Sequence, residues 1–238
     1  MPEFVAILDF GSQYTQLIAR RVREQKVYCE ILKCDTSPED LSGRQLKGII
    51  LSGGPSGVYE EDAPRCNPAI FDLKVPILGI CYGMQLGCEI LGGKVIPAKH
   101  REYGSTELDV SVEDDLFSGL ETTTTVWMSH GDRVTKKPPG FRAAGTSDGA
   151  PYAVIADDAR RYYGLMFHPE VVHTPHGAKL LANFVHHVAG CAGDWTMASF
   201  RSQAVEAIRA QVGEKRVVCG RSGGGDSSVA AVLIHEAI

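Results

Sequence analysis

The sequence predicts an α/β fold, built on a doubly wound, mostly parallel sheet with an additional antiparallel strand region. Three observations support this prediction. The early strand-like segments are short, uninterrupted apolar runs, as expected for strands covered on both faces. Segments with helical periodicity lie between these runs, which is typical of doubly wound parallel sheets. From residue 103 to residue 167, several strand-like segments are separated by turn signals, which indicates antiparallel strands.

The expected elements follow in order along the chain. The parallel part has strand 4–9, helix 14–23, strand 28–32, strand 48–52, strand 75–80 and helix 84–91. The antiparallel region has strands 106–112, 123–128, 142–144 and 152–156, before strand 162–167 and helix 177–188 close the domain. Ligands bind such sheets at the carboxyl ends of the strands, where Gly53, Gly54 and Cys81 are expected.

The composition excludes several classes of function. A chain of 238 residues with 44% hydrophobic and 22% charged residues is typical of a globular protein with a substantial core. A net charge of −5 without a basic stripe argues against a nucleic-acid partner, and no apolar run is long enough to span a membrane. The eight histidines form no metal-binding signature, so no metal site is expected.

The cysteines and the N-terminus together predict a cytoplasmic protein. The seven cysteines are irregularly spaced and include no Cys-x-x-Cys pair, which favours free thiols in a reducing compartment. A strand is expected to begin at Phe4, which leaves no room for a signal peptide.

The chain is expected to contain two domains, residues 1–190 and residues 191–238. A short run of small residues, 190–194, joins them. After it come helix 195–212, strand 216–219, a glycine-rich loop and a helix from about 227 to 238. One strand–loop–helix unit cannot bury its own apolar faces, so this segment is interpreted as the truncated start of a second α/β domain.

The most informative motif is Gly79-Ile80-Cys81-Tyr82-Gly83, which follows an apolar run. A cysteine between two glycines, where a strand gives way to a helix, has the form of a nucleophile elbow. Glycines remove Cβ atoms where the backbone must turn sharply, and N–H groups at the start of the helix favour a thiolate. Cys81 is therefore a candidate nucleophile, although a lone cysteine is more often a small buried hydrophobe.

His168 and Glu170 are the candidate partners of this thiol. In extended geometry residues two apart point to the same side, and Pro169 keeps His168 extended while ending the strand. A thiol with a pKa of about 8.5 needs a base near neutral pH. His168 is therefore predicted to accept its proton and Glu170 to orient the imidazole. The alternative is that His168 and Glu170 form an ordinary surface ion pair.

Two glycines after the third expected strand indicate an oxyanion site. Gly53 and Gly54 let backbone N–H groups approach a ligand closely, and acyl transfer from a thiol needs such donors. The N–H groups of Gly54 and Tyr82 are the expected pair. A plain glycine turn is the alternative interpretation.

These motifs, in this order, resemble the class I (triad) glutamine amidotransferases over residues 4–188. The resemblance implies a flavodoxin-like fold and a glutaminase in which Cys81 forms a glutamyl thioester, His168 acts as base and then acid, and Glu170 orients the histidine. It implies that glutamine hydrolysis needs no cofactor. The residues that it places around the glutamine are Gly53, Gln85, Ser129, His130 and Asp132.

A second glycine-rich motif resembles the pyrophosphate-binding loop of the ATP pyrophosphatases. The resemblance implies that backbone N–H groups, hydroxyls and a helix N-terminus hold phosphate, and that Asp226 helps position Mg²⁺. Two positions differ from the usual motif, since Arg221 replaces a leucine and Gly225 replaces a valine. The loop comprises Ser222, Gly223, Gly224, Gly225, Asp226, Ser227 and Ser228.

An amidotransferase domain followed by this loop resembles the GMP synthase family. The motifs Leu8–Tyr14 and Ser129–Asp132 resemble that family as well. The resemblance implies a ligase of purine biosynthesis that uses ATP, Mg²⁺ and ammonia from glutamine to aminate xanthosine monophosphate to GMP. It also implies a homodimer formed through a C-terminal region outside this sequence. The chain alone is expected to hydrolyse glutamine at best.

Three alternatives stay open on the sequence. The first is the glutaminase part of another triad amidotransferase, such as the anthranilate or carbamoyl phosphate systems, against which the segment after residue 195 argues. The second is a non-catalytic module of the same fold, which the absence of Cys81, His168 or Glu170 would favour, but all three are present. The third is a cysteine peptidase or deglycase on a related fold, against which Gln85 and the His-Pro-Glu motif argue.

Overall fold

The computed structural model describes residues 3–110 and 115–238. The chain divides into two compact units, Met1–Gly193 and Asp194–Ile238. Each unit has its own secondary structure, and the candidate nucleophile lies in the first.

In the described residues, the first unit contains one sheet and several helices. Its strands are β1 (Phe4–Asp9), β2 (Cys29–Lys33), β3 (Leu46–Leu51), β4 (Ile77–Ile80), β5 (Lys94–Val110), β6 (Thr123–Lys136), β7 (Arg142–Thr146), β8 (Val154–Asp157) and β9 (Tyr162–Leu165). Its α-helices are α1 (Thr15–Glu24), α2 (Pro38–Ser42), α3 (Tyr82–Ile90) and α4 (Gly177–Ala182). Short 3₁₀ turns lie at Pro68–Asp72 and Asp115–Phe117, and α4 continues as a π-helix over Asn183–Val188.

The nine strands form a mixed sheet in the order β2-β1-β3-β4-β9-β8-β7-β5-β6. The five strands from β2 to β9 in that order pair in parallel. The remaining pairs, from β9 to β6, are antiparallel. The prediction of a mostly parallel α/β sheet with an antiparallel extension is confirmed.

The first strand shows why the apolar runs are uninterrupted. All five residues from Phe4 to Leu8 are fully buried, so both faces of β1 are covered. Helix α1 buries Ile18, Ala19 and Val22, which recur at helical spacing. A central strand of a two-sided sheet has no solvent face on which to place polar residues.

The antiparallel strands β5 and β6 differ most from expectation. Their lengths are 17 and 14 residues, well beyond the predicted strands 106–112 and 123–128. The predicted end of the first, at 111–112, lies outside the described residues. Because β6 continues to Lys136, residues 129–132 lie within a strand and not after one. Long-range pairing between the two strands extends them past the short β-prone cores of the sequence pattern.

The second unit contains helices α5 (Met197–Val212) and α6 (Gly225–Ala237). Thr196 caps α5 in a capping box with Ser199. Arg209 Nε on α5 donates to the carbonyl of Ala237 at 2.9 Å, which ties the two helices together.

The predicted strand 216–219 is wrong, because these residues form no strand in the structure. Val218 is 97% exposed there. A strand needs a hydrogen-bonded neighbour, and the described residues of the second unit offer none. Helix α6 also begins two residues earlier than expected, so Gly225 and Asp226 belong to its first turn.

Across the described residues, the helices are all too short or too polar to traverse a bilayer.

Candidate active site

Cys81 forms the whole turn between β4 and α3. Strand β4 ends at Ile80 and α3 begins at Tyr82, so one residue redirects the chain. The backbone of Cys81 has φ 46° and ψ −106°. Non-glycine residues rarely adopt this conformation, which costs about 1–3 kcal/mol. A 2.7 Å hydrogen bond from the Cys81 N–H to the Leu165 carbonyl fixes the turn against β9. This strained strand-to-helix turn is the geometry of a nucleophile elbow.

The two glycines of the motif are present because the elbow has no room for side chains. A Cβ atom on Gly79 would stand 2.7 Å from the backbone nitrogen of Met84, and one on Gly83 would overlap the carbonyl of Leu51. The N–H of Gly83 also donates to the Ser52 carbonyl at 3.0 Å. This bond joins the start of α3 to the end of β3.

His168 and Glu170 lie beside Cys81 in a line of contacts. Nε2 of His168 is 3.3 Å from Cys81 Sγ, and Nδ1 is 2.8 Å from Glu170 Oε1. The three residues are 5%, 6% and 0% exposed, so the alternative of a surface ion pair does not apply. Arg21 on α1 donates to the Glu170 carbonyl at 3.1 Å and holds the main chain at the far end of the line.

The charges of this line change the protonation of the imidazole. Burial alone would lower the pKa of His168, but the negative charge of Cys81 and the hydrogen bond to Glu170 outweigh it and raise that pKa to about 11. The imidazole therefore carries its proton at neutral pH, 3.3 Å from the Cys81 sulfur. A cation at this distance favours the nucleophilic form of a cysteine, and it is also an acid placed next to the reacting atom.

Gly54 and Tyr82 lie together at the opening above Cys81. A Cβ atom on Gly54 would stand 2.7 Å from the Phe10 carbonyl oxygen and 3.2 Å from the Tyr82 ring, so only glycine fits. Tyr82 is the first residue of α3, and its N–H therefore has no acceptor within the helix. Gly53 differs from Gly54, because a Cβ atom there would stand 3.3 Å from Cε1 of His168. Gly53 thus makes room for the imidazole, and it does not line the cavity that opens over the Cys81 sulfur.

A polar cavity of about 440 Å³ opens over the sulfur. Its walls come from the loop after β1, the loop after β3, the start of α3 and the middle of β6. Lining residues include Gly54, Cys81, Tyr82, Gln85, Ser129, His130, Asp132 and His168. The volume suits a small polar molecule, and every predicted site residue of the first unit except Gly53 and Glu170 reaches this cavity.

Comparison with known proteins places this site in a family. Residues 6–188 match the family described as Glutamine amidotransferase class-I. The chain belongs to the class-I glutamine amidotransferases. The solved structure of a GMP synthase subunit from Thermoplasma acidophilum is 30% identical, with a TM-score of 0.69 over 85% of this chain and 98% of that one.

Two curated relatives are more similar in sequence. The chain is 58% identical to the glutamine-hydrolyzing GMP synthase of Allorhizobium ampelinum over 240 aligned positions, which cover 100% of the chain and 46% of that protein. It is 57% identical to the Brucella melitensis enzyme of the same name, covering 47% of it. The chain thus spans about half the length of these relatives.

Gln85 lies one helical turn after Cys81 in this amidotransferase. Its N–H donates to the Cys81 carbonyl at 3.0 Å, and the residue is 4% exposed. Among the described residues, its side-chain amide donates to a weak acceptor, Met166 Sδ, at 3.9 Å. The amide is therefore available to a ligand in the cavity.

Asp132 and Tyr59 close one side of the cavity. The Tyr59 hydroxyl donates to Asp132 Oδ1 at 2.9 Å, which connects the loop after β3 to β6. Tyr14, at the start of α1, makes a T-shaped ring contact with His168, with ring centroids 5.1 Å apart. Sequence reasoning assigned no role to Tyr14 or Tyr59, because a lone tyrosine in a loop gives no signal of the ring that it will meet.

The buried His130 and the partly buried Glu102 form a pair that the sequence did not reveal. Nε2 of His130 is 3.3 Å from Glu102 Oε2, yet neither ring nitrogen makes a hydrogen bond within the described part of the chain. Burial lowers the pKa of His130, with Glu102 acting in the opposite direction. His130 is therefore neutral at neutral pH, in contrast to His168.

The second glycine-rich motif lies in the second unit. Ser222 Oγ is 3.2 Å from Ser227 Oγ, and the Ser228 hydroxyl donates to the Gly224 carbonyl at 3.0 Å. Gly224 is the N-cap of α6, without a side chain to satisfy the first N–H groups of the helix. No group of His, Cys, Asp and Glu residues in the described ranges has the arrangement of a metal site.

Proposed function

We propose that this chain is the glutaminase part of a glutamine-hydrolysing GMP synthase. The observation that carries the proposal is the contact line Cys81–His168–Glu170, whose first two residues line a polar cavity. Membership of the amidotransferase family and the names of the relatives supply the substrate, glutamine, which donates the nitrogen of its side-chain amide. The size and polarity of the cavity suit an amino acid.

In the first half of the reaction, the Cys81 thiolate attacks the side-chain carbonyl carbon of glutamine. A C–S bond forms and the carbonyl electrons move to oxygen, where the N–H groups of Gly54 and Tyr82 stabilise the charge. The tetrahedral intermediate then collapses, and the C–N bond breaks as the His168 imidazolium gives its proton to the leaving nitrogen. Ammonia departs and a glutamyl thioester remains on Cys81.

In the second half, His168 is neutral and acts as a base. It takes a proton from water while the water oxygen attacks the thioester carbon, and the same two N–H groups hold the second oxyanion. The C–S bond then breaks, which releases glutamate and returns the thiolate and imidazolium. Glu170 keeps Nδ1 protonated throughout and stabilises the cation.

Gln85, Ser129, His130 and Asp132 are proposed to bind the remainder of the glutamine. Their support is their shared position on the cavity walls. The neutral His130 and the carboxylate of Asp132 provide a hydrogen-bonding group and a negative charge, which suit an amino acid's polar end.

The loop Ser222–Ser228 is proposed to hold the phosphates of ATP in the whole enzyme. The residues fit such a role, because α6 is 13 residues long, its N-cap lacks a side chain, and a Cβ on Gly223 or Gly225 would meet nothing within 4 Å. The helix N–H groups and the serine hydroxyls would bind phosphate oxygens, and Asp226 would help position Mg²⁺. When bound, ATP activates xanthosine monophosphate for displacement by ammonia.

The wider setting is also proposed. The whole enzyme makes GMP in the cytoplasm, acts as a homodimer through segments outside this sequence, and needs ATP and Mg²⁺ for synthesis but no cofactor for glutamine hydrolysis. The domain division at residues 190–191, with an amidotransferase before it and the start of an ATP pyrophosphatase after it, is part of this proposal.

The test is covalent labelling with an electrophilic glutamine analogue, followed by mass mapping of the modified peptide. Labelling is expected at Cys81 and should be blocked by glutamine but not by leucine, an apolar amino acid of similar size. Cys219, the exposed cysteine of the second unit, is the internal control for non-specific alkylation. Equal labelling of Cys81 and Cys219, insensitive to glutamine, would refute the glutaminase.

A further inference from the structure

Thr174 lies between two main-chain segments next to the catalytic line. Its hydroxyl donates to the His168 carbonyl at 2.7 Å and accepts a hydrogen bond from the Trp127 N–H at 3.0 Å. The residue is 4% exposed. One buried oxygen therefore satisfies an acceptor on the histidine segment and a donor on β6.

This hydroxyl occupies the place of a missing sheet bond. The His168 N–H donates to the Trp127 carbonyl at 3.1 Å, as in a hydrogen-bonded antiparallel pair. Such a pair normally makes a second bond, from the Trp127 N–H to the His168 carbonyl. Here the Thr174 hydroxyl is inserted into that second bond, so the two segments are joined directly on one side and through a side chain on the other.

These two links, next to an isolated antiparallel bridge between Met128 and Phe167, hold the main chain of His168 to β6. Strand β9 ends at Leu165, three residues earlier, and Pro169 has no N–H with which to continue a ladder. Thr174 itself is held in a turn, because its N–H donates to the Val171 carbonyl at 3.2 Å and its carbonyl accepts from the Gly177 N–H at 2.9 Å. The hydroxyl therefore has a fixed position from which to set the tilt of the peptide that carries the imidazole.

We propose that Thr174 is a positioning residue, whose inserted hydroxyl sets the distance and direction of His168 Nε2 toward Cys81 Sγ. The proposal rests on the proposed glutaminase function for its kinetic consequence. Without the hydroxyl, the ladder either closes directly or leaves the Trp127 N–H and the His168 carbonyl without this partner. Both results move the His168 peptide, and a displacement of about 1 Å at a catalytic group costs up to about a hundredfold in rate.

The experiment compares Thr174→Val with Thr174→Ser in the full chain. Valine keeps the branched shape and removes the hydroxyl, whereas serine keeps the hydroxyl. We expect valine to lower kcat for glutamine hydrolysis by about tenfold to a hundredfold with KM little changed, and serine to restore most of the loss. Thr174→Ala replaces valine in the comparison if the valine variant does not fold, as judged by circular dichroism.

A second readout does not depend on glutamine. The rate of Cys81 alkylation by iodoacetamide, mapped on its own peptide, is followed from acid to alkaline pH. The neighbouring titratable groups Glu170, Tyr14 and His130 are the same in all variants. If Thr174 aligns the imidazolium with the sulfur, the alkylation profile of the valine variant shifts toward alkaline pH, and that of the serine variant does not.

The outcomes separate the two proposals. If the wild-type chain hydrolyses no glutamine, but the alkylation profile of its valine variant shifts, the role of Thr174 is supported and the glutaminase is refuted. If the wild-type chain hydrolyses glutamine, and the valine variant has the same kcat and the same alkylation profile, the positioning role is overturned. Reduced thermal stability with an unchanged profile also overturns it, because it would show that Thr174 only stabilises the fold.

Discussion

At the scale of the residue, Cys81 combines a strained backbone with a charged partner. The backbone has a positive φ at the one-residue turn between β4 and α3, and the His168 imidazolium lies 3.3 Å from the sulfur. Neither feature alone makes a nucleophile, since strained turns and buried cysteines are each found without catalysis.

Replacement of Glu170 by Gln should slow the reaction while leaving the fold intact. The amide can present its NH₂ group to Nδ1, which favours the wrong tautomer, and it cannot stabilise the imidazolium. We expect kcat for glutamine hydrolysis to fall by about 10²–10⁴-fold. Steady-state ammonia release measures the effect, with Glu61→Gln, at an exposed position that does not line the cavity, as the control. A loss of less than about twofold would exclude Glu170 from the role described in general acid–base catalysis.

The raised pKa of His168 predicts a specific pH dependence of stability. The fold favours the protonated imidazole, with a pKa of about 11 in place of 6.5. The stabilisation is therefore complete below the ordinary value and is lost as pH rises through the folded value. We expect His168→Gln to lower the free energy of unfolding most at neutral and lower pH, and least in strong alkali. Urea denaturation at several pH values measures this difference, and a difference that grows with pH would contradict the assigned shift.

At the scale of the element, the elbow depends on how closely α3 approaches β3. Gly83 is the contact point, since its N–H bonds the Ser52 carbonyl and a side chain there would overlap Leu51. The helix N-terminus then lies beside Gly54, so Gly54 and Tyr82, whose N–H groups are proposed to bind the oxyanion, line one cavity. The backbone of two elements, and not a side chain, thus creates this part of the site.

Substitution of Gly83 by Ala should separate α3 from β3. We expect a loss of about 1–3 kcal/mol in the free energy of unfolding, because the core is overpacked at this contact. The labelling of Cys81 by the electrophilic glutamine analogue, which glutamine is expected to block, should fall as well, because the elbow moves. Gly43→Ala is the matched control, because a Cβ atom there would make an ordinary 3.8 Å contact. Equal stability of the two alanine variants would show that the approach is not tight.

At the scale of the whole molecule, the two units differ in how they are stabilised. The first has an extensive buried core, while α5 has no buried residue and α6 has one, Ala237. Residues 213–224, between these helices, are exposed and form no helix or strand. This contrast predicts where the chain opens first.

Limited digestion with trypsin should cut the segment 213–224 before the first unit. Lys215, Arg216 and Arg221 are the expected sites, since cleavage needs an exposed and extendable backbone. Intact-mass analysis identifies the first products. Arg23, which donates to the Cys29 carbonyl at 3.1 Å on the edge of the core, is an internal reference for resistance. Early cleavage at Arg23 would contradict this order.

Much of the architecture and the contact line Cys81–His168–Glu170 were predictable from the sequence. Three sequence patterns indicate local geometry directly, because each depends on residues that are close in the chain. They are the uninterrupted apolar strands, the cysteine between two glycines and the His-Pro-Glu motif. The pair His130–Glu102 was not predictable, because Glu102 lies on β5 and meets β6 only through long-range pairing. The prediction of a strand at 216–219 was wrong for a related reason, because a strand needs a neighbouring strand to which its backbone can hydrogen-bond.

The sequence by itself determined three features of this protein. They are the elbow around Cys81, the apolar runs that form the parallel strands, and the candidate partners His168 and Glu170. They depend on steric limits and spacings that hold within a few residues. The 3.3 Å contact between sulfur and imidazole, the protonation of His168 and the insertion of Thr174 beside it were decided only by the tertiary structure. Each of these requires segments distant in sequence to meet in a buried place, where a single hydroxyl or carboxylate changes the balance of hydrogen bonds and charge.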